Sequence, residues 1–296
     1  MLEKLTSEKR NPNSMDLDKL SSIEIIRLMN QENSEILTAI DKVLPQISKA
    51  IDLAVNCLNQ GGRLIYIGAG TSGRLGVLDA VECWPTFGVG NDIVVGMIAG
   101  GEKAFLKAVE GAEDNKKLGG QDLREIELTN KDLVIGIAAS GRTPYVIGAL
   151  EYAKSICAKT VSVSCNANSL ISNAANIAIE CVVGPEIIAG STRLKAGTAQ
   201  KLILNMISTA SMVGIGKVYQ NLMVDVQLTN EKLHERAKRI VMEAADLDYP
   251  TAERLLKEAN YKPKVAIVMA LTKSDSSKAN KLLNDSNGFV GKAIST

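Results

Sequence analysis

Two glutamates and three glycine-flanked hydroxyl clusters are the residues of this chain whose types and spacing suit chemistry. Gly68-Ala69-Gly70-Thr71-Ser72-Gly73 and Ala138-Ala139-Ser140-Gly141-Arg142-Thr143 each follow a run of apolar, β-branched residues. A third cluster, between Gly184 and Lys201, sets Ser191, Thr192, Arg193 and Lys195 at the entrance of a long apolar helical pattern. At such entrances backbone N–H groups, the helix dipole and side-chain donors converge on an anion. Three of them in one chain predict a phosphorylated small molecule. Its expected contacts are Gly70, Thr71, Ser72, Ser140, Gly141, Arg142, Thr143, Ser191, Thr192, Arg193 and Lys195.

The glutamates are Glu82 and Glu113. Leu75, Leu78 and Glu82 stand at i, i+3, i+7, so Glu82 extends an apolar stripe. Leu106, Val109 and Glu113 would do the same on a helix beginning near Gly101. Desolvation raises a carboxyl pKa and lets a glutamate act as a general acid near neutrality. Each could instead be solvated or paired, with Asp79, Arg74 and Lys117 at hand. Their coincidence with three anion loops favours acid–base work.

The elements that must position these residues follow from periodicity. Apolar residues recur at helical spacing from Met15 to Leu58, broken at Pro45. Five short runs follow, at Leu64 to Ile67, Ile93 to Ile98, Leu133 to Ala138, Val161 to Ser164 and Ile177 to Val183. Nearly continuous apolar strands separated by helical segments predict a five-stranded parallel α/β sheet covered on both faces. Ligands of such sheets sit at the carboxyl ends of the strands. A helix is expected from Lys195 to about Val226. Beyond Thr229 the chain reads as short charged helices broken by Pro250 and Pro263, with 272–287 polar enough to be loosely ordered. The expected domains are an N-terminal helical segment (1–50), a sheet domain (51–228) and a small helical domain (229–296).

Composition narrows the function. Lysine and arginine (34) nearly balance aspartate and glutamate (33), which argues against nucleic acid and anionic membranes as partners. The start of the chain has no apolar core for a signal peptide or anchor, and no uncharged run reaches spanning length. Five cysteines without C-x-x-C spacing read as reduced thiols of a cytoplasmic protein. The one histidine, His234, stands in a charged segment and cannot build a multi-histidine metal site. No metal is expected. The first loop matches G-x-G-x-x-G literally, yet the next strand runs into Ala99-Gly100-Gly101 without the acidic residue a dinucleotide ribose needs. No G-K-[ST] completes a P-loop.

Taken together, Arg10-Asn11-Pro12, the segment Tyr66 to Gly76, Asp79-Ala80-Val81-Glu82-Cys83, Glu110 to Asp114, Ala139 to Tyr145 and above all Gly184 to Lys201 resemble the N-acetylmuramic acid 6-phosphate etherases. These are sugar-isomerase-type (SIS) proteins related to the glucokinase regulatory protein, with a flavodoxin-like sheet. The resemblance covers nearly the whole chain; one departure is Trp84-Pro85, where many relatives have Pro-Pro. It implies a cofactor-free lyase that removes D-lactate from C3 of its sugar phosphate, with Glu82 protonating the departing oxygen and Glu113 taking the C2 proton. Ser72, Ser140, Thr143, Ser191 and Thr192 would hold the phosphate, and Arg193 or Lys195 would steer the lactyl carboxylate. It also implies a homodimer with shared active sites. On the loops alone, an aldose–ketose isomerase or a non-enzymatic sugar-phosphate sensor would fit, although the absence of an internal repeat argues against the sensor.

Overall fold

The computed structural model describes residues 5–107, 109–228 and 230–295. They form two compact units: Met1–Ala80 with Asp92–Ser208, and Val81–Asn91 with Thr209–Thr296. The divisions at 80–81 and 208–209 fall within helices.

In the first unit, short 3-10 turns at Thr6–Glu8, Pro12–Ser14 and Leu17–Lys19 precede α1 (Ser22–Asp41) and α2 (Leu44–Asn59). Pro45 lies in the first turn of α2, where its missing N–H is no loss, so the predicted break is a helix start. There follow β1 (Leu64–Gly68), α3 (Gly70–Phe87), β2 (Val94–Ile98), α4 (Lys103–Leu106), α5 (Lys116–Glu125), β3 (Leu133–Ile137) and α6 (Pro144–Ser155). Then come β4 (Lys159–Ser164), α7 (Leu170–Asn173), β5 (Ile177–Glu180) and α8 (Lys195–Gly214). The five strands are parallel in the order β2-β1-β3-β4-β5. Every residue of β1 and β3 is buried, as expected for strands covered on both faces. Ile65, Ile67, Val134, Tyr145, Val146 and Leu150 belong to one apolar cluster with Leu123 of α5. Because β1 neighbours both β2 and β3, the strand order reverses there, and the loops after β1 and β3 flank the switch point.

Glycines set how closely α3 approaches the sheet. A Cβ on Gly76 would lie 2.9 Å from Tyr66 Cβ, and one on Gly96 of β2 would lie 2.4 Å from Val77 Cα. The helix therefore rests on strand backbone, which holds its first turn at the end of β1.

The second unit contains the hairpin β6 (Val218–Tyr219) and β7 (Leu222–Met223), then α9 (Glu231–Ala245), α10 (Tyr249–Glu258), α11 (Pro263–Thr272), α12 (Ser276–Asp285) and α13 (Val290–Ala293). Its core gathers Ile240, Val241, Leu256, Ala266, Ile267 and Val268. Two expectations fail here. The helix predicted to reach Val226 stops at Gly214, because Gly216 takes a positive φ of 77° and the chain turns into the hairpin. The segment 272–287 is not loose: Asp275 caps α12 by accepting the Lys278 N–H at 2.8 Å, and Ala279 and Leu283 are buried. Among the described residues no helix is long and apolar enough to cross a membrane.

Substituting Gly96 by alanine should force α3 off β2 and lower stability by about 1–3 kcal/mol, the usual cost of overpacking. Urea denaturation measures this; an unchanged midpoint would mean that α3 does not bear on the strand backbone.

Candidate active site

The carboxyl ends of the strands carry the predicted loops, and the structure brings them together through backbone and side-chain contacts. Gly70 and Gly141 have φ of 53° and 69°, a region glycine enters without penalty. Gly197, in the first turn of α8, faces the first loop: a Cβ there would lie 3.5 Å from Thr71 Cγ2. Ser72 is buried, and its Oγ donates to Gln200 Oε1 of α8 at 2.9 Å. Cys165, just past β4, joins the second loop to α8, since its N–H donates to Ala139 O at 3.0 Å and its Sγ lies 3.7 Å from Ala196 O. Burial pushes that thiol well above its ordinary range, with nearby Cys181 and Glu186 adding to the effect.

In the second loop, neither predicted hydroxyl caps α6. Thr143 occupies the N-cap position without a side-chain cap bond, and Ser140 Oγ accepts the Arg142 N–H at 3.2 Å. Arg142 Nε is buried without an acceptor. A buried guanidinium donor lacking a partner is costly, which is the condition an anionic ligand relieves.

Glu113 requires a correction. It does not sit on a helix: α4 ends at Leu106, Lys107 is extended, and Gly111 has a φ of 74°. Its side chain is exposed, and the apolar face expected from Leu106 and Val109 points outward as well. Its backbone nevertheless has a defined place. Pro144 lacks an N–H, and the next one, of Tyr145, donates to Glu113 O at 3.0 Å. Glu113 thus caps the helix entered from Ser140, Arg142 and Thr143.

Glu82 lies on α3 as expected, but its stripe faces outward. Leu78 is 46% exposed, Val81 62% and Trp84 37%, and Glu82 itself is exposed. The opposite side of α3, with Ala80 and Cys83, is the buried one. Nor do the suggested partners meet these glutamates. Asp79 accepts from Asn205 Nδ2 at 2.6 Å and Ser208 Oγ at 3.1 Å, while Arg74 donates to Phe105 O and Ala104 O, both at 2.8 Å.

The entrance of α8 differs most from expectation. Its Lys195 and Ala196 N–H groups donate to the two carboxylate oxygens of buried Glu186, at 3.0 and 2.9 Å. The chain supplies its own anion to this helix end. Lys195 is likewise engaged within the chain: its side chain is 3% exposed, and its ammonium donates to Glu32 Oε2 of α1 at 2.6 Å. Asn11 and Asn13 donate to the same carboxylate, at 2.7 and 2.9 Å. Burial pushes the Glu32 carboxyl up, but the bonds from Lys195, Asn13 and Asn11 outweigh it and hold the group below its ordinary value. Ser191 and Thr192 remain half-buried and Arg193 exposed. Gln200 and Glu32 escape a local reading because their partners lie 128 and 163 positions away, whereas Glu186, nine and ten residues before the N–H groups it accepts, stands inside the Gly184–Lys201 stretch. Among the described residues no cluster of three His, Cys, Asp or Glu side chains could hold a metal ion.

Comparison with known proteins agrees with this architecture. Residues 46–154 match the glucokinase regulatory protein N-terminal SIS domain, and residues 124–210 match the SIS domain. The N-acetylmuramic acid 6-phosphate etherase of Listeria monocytogenes serotype 4b (strain CLIP80459) is 62% identical over 99% of both chains. The protein of that name from Bacillus cytotoxicus is 58% identical over 99% of this chain and 100% of its own. A phosphoheptose isomerase from Neisseria gonorrhoeae shares the fold, with a TM-score of 0.50 at 15% identity over 64% of this chain and 96% of that one.

The Glu32–Lys195 pair sets a pH dependence. Because the folded carboxyl has the lower pKa, its stabilisation is complete above the unfolded value of 4.5 and is lost as pH falls through the folded value. Glu32→Gln should cost about 3–5 kcal/mol at neutral pH, since it strands a buried ammonium. Thermal melts from pH 7 to pH 3 should show the gap between variant and parent narrowing below pH 4.5; a gap that stays constant would rule out the pair as its source.

Proposed function

The chain belongs to the N-acetylmuramic acid 6-phosphate etherase family, and we propose that it cleaves the D-lactyl ether of N-acetylmuramic acid 6-phosphate, giving N-acetylglucosamine 6-phosphate and D-lactate. Family membership makes it an enzyme acting on a sugar phosphate. The observation that carries the finer reading is identity of 62% along 99% of both chains.

The chemistry is that of a cofactor-independent carbon–oxygen lyase. Ring opening exposes an aldehyde at C1, which acidifies the C2 proton. Glu113 takes that proton, and the electron pair moves through the enolate to form the C2–C3 double bond. The C3–O pair leaves with lactate, whose oxygen takes a proton from Glu82. Water then adds at C3 and a proton returns to C2, with the two carboxyls in reversed roles. Ser72, Ser140, Arg142 and Thr143 hold the phosphate, with Ser191 and Thr192 beside them; Arg193 takes over the steering of the lactyl carboxylate, because Lys195 is engaged with Glu32. Binding energy from the phosphate, remote from the reacting carbons, is then available to orient C2 and C3.

Exposure of both glutamates favours a site completed by a second copy. Leu78, Val81 and Trp84 form an apolar side of α3 next to Glu82, and a homodimer that buries this side would withdraw Glu82 from water. The five cysteines are free, which supports a cytoplasmic setting.

Purified protein incubated with the phosphosugar should release lactate. Glu113→Gln should lower the rate by about 10²–10⁴-fold, the usual worth of a general base, and abolish solvent deuterium exchange at C2. Glu82→Gln should keep exchange and lose lactate release; ordinary turnover in either variant would refute the assignment. Val81→Asp should shift the species seen in sedimentation from dimer to monomer and reduce lactate release. Sugar isomerisation without lactate would favour an isomerase instead.

A further inference from the structure

The N-terminal segment is bonded along the carboxyl edge of the sheet, where the substrate loops emerge. Ser7 is 3% exposed and Asn166, just past β4, is 1% exposed. They grip each other twice: the Ser7 N–H donates to Asn166 Oδ1 at 3.3 Å, and Asn166 Nδ2 donates to Ser7 Oγ at 3.1 Å. The same Nδ2 donates to Ala139 O at 3.0 Å, the carbonyl directly before Ser140. On its other side, Ser7 O accepts the Gly190 N–H at 3.2 Å, directly before Ser191. One buried amide and one serine therefore connect the loop after β3 to the loop after β5. Asn11 donates to Pro185 O at 3.2 Å and Ser14 to Ile187 O at 2.8 Å, so the connection continues along the later loop.

From this chain of bonds we infer that Ser7 and Asn166 are positioning residues for the substrate, fixing the Ser140–Thr143 loop relative to Ser191 and Thr192. Neither touches substrate. The inference rests on the reading that these loops hold a sugar phosphate. A donor loop displaced by a few tenths of an ångström still folds but grips its anion less well, because charge-assisted hydrogen bonds are short and directional. Asn166 acts at the Ala139 carbonyl, and Ser7 acts through Asn166. A purely structural tether would show itself in stability alone. A positioning pair shows itself in affinity.

The mild variant is Ser7→Ala, which keeps the backbone bonds and removes only Oγ; Asn166→Ala removes the whole junction. Ser7→Ala should raise the KM for the phosphosugar about tenfold with kcat within about twofold, the effect of one positioning hydrogen bond. The Kd of inorganic phosphate, measured by calorimetry on the full chain, should rise in parallel. Adding Asn166→Ala to Ser7→Ala should give less than the product of the two single effects, since both act on one carbonyl. If Ser7→Ala lowers the melting temperature but leaves KM and phosphate affinity unchanged, the inference is overturned. If the parent releases no lactate yet Ser7→Ala still weakens phosphate binding, the positioning role stands and the etherase reading fails.

Discussion

Polar groups buried at the carboxyl ends of the strands are costly without partners, and the geometry of the candidate site follows from which of them find one within the chain and which, like Arg142 Nε, do not. Removing Lys195 and Glu32 from water costs several kcal/mol for each ion, a loss their attraction offsets only with good geometry and further hydrogen bonds. Asn11 and Asn13 supply those bonds, which obliges the N-terminal segment to lie over the sheet edge. The entrance of α8 is treated likewise, with Glu186 taking the N–H groups that would otherwise attract an external anion. What remains open to a ligand is therefore defined by subtraction: the first two loops, and the hydroxyls of Ser191 and Thr192.

Close packing provides the second constraint. Because Gly76 and Gly96 remove the side chains between α3 and the strands, the helix cannot shift along the sheet without colliding with backbone. Its first turn is fixed beside α8, where Thr71 and Ser72 meet Gly197 and Gln200. A rigid donor loop at the switch point is suited to an anion whose reacting carbons must be held elsewhere in register. The exposed side of the same helix carries Glu82 beside the exposed apolar side chains of Leu78, Val81 and Trp84.

The two glutamates show how far local pattern reaches. Spacing alone places Glu82 on α3, because periodicity within eighteen residues is a local property. Its exposure was not legible, since periodicity says that a face is apolar but not which neighbour covers it. Leu106 and Val109 precede Glu113 at helical intervals and predict a helix there. That pattern ends where Lys107 becomes extended and Gly111 takes a positive φ, and the Tyr145 N–H recruits the Glu113 carbonyl to a different element.

The sequence by itself determined the strands and their parallel arrangement, the glycine turns after β1 and β3, and the family. Each depends on residues near one another in the chain, on side-chain period and on the φ that only glycine enters freely. Tertiary structure alone decided that Lys195 pairs with Glu32 across 163 positions, that Ser72 donates to Gln200 across 128, and that Ser7 meets Asn166 across 159. The cost of a buried unpaired charge is fixed by chemistry, but the identity of its partner is fixed only when distant segments are folded against each other.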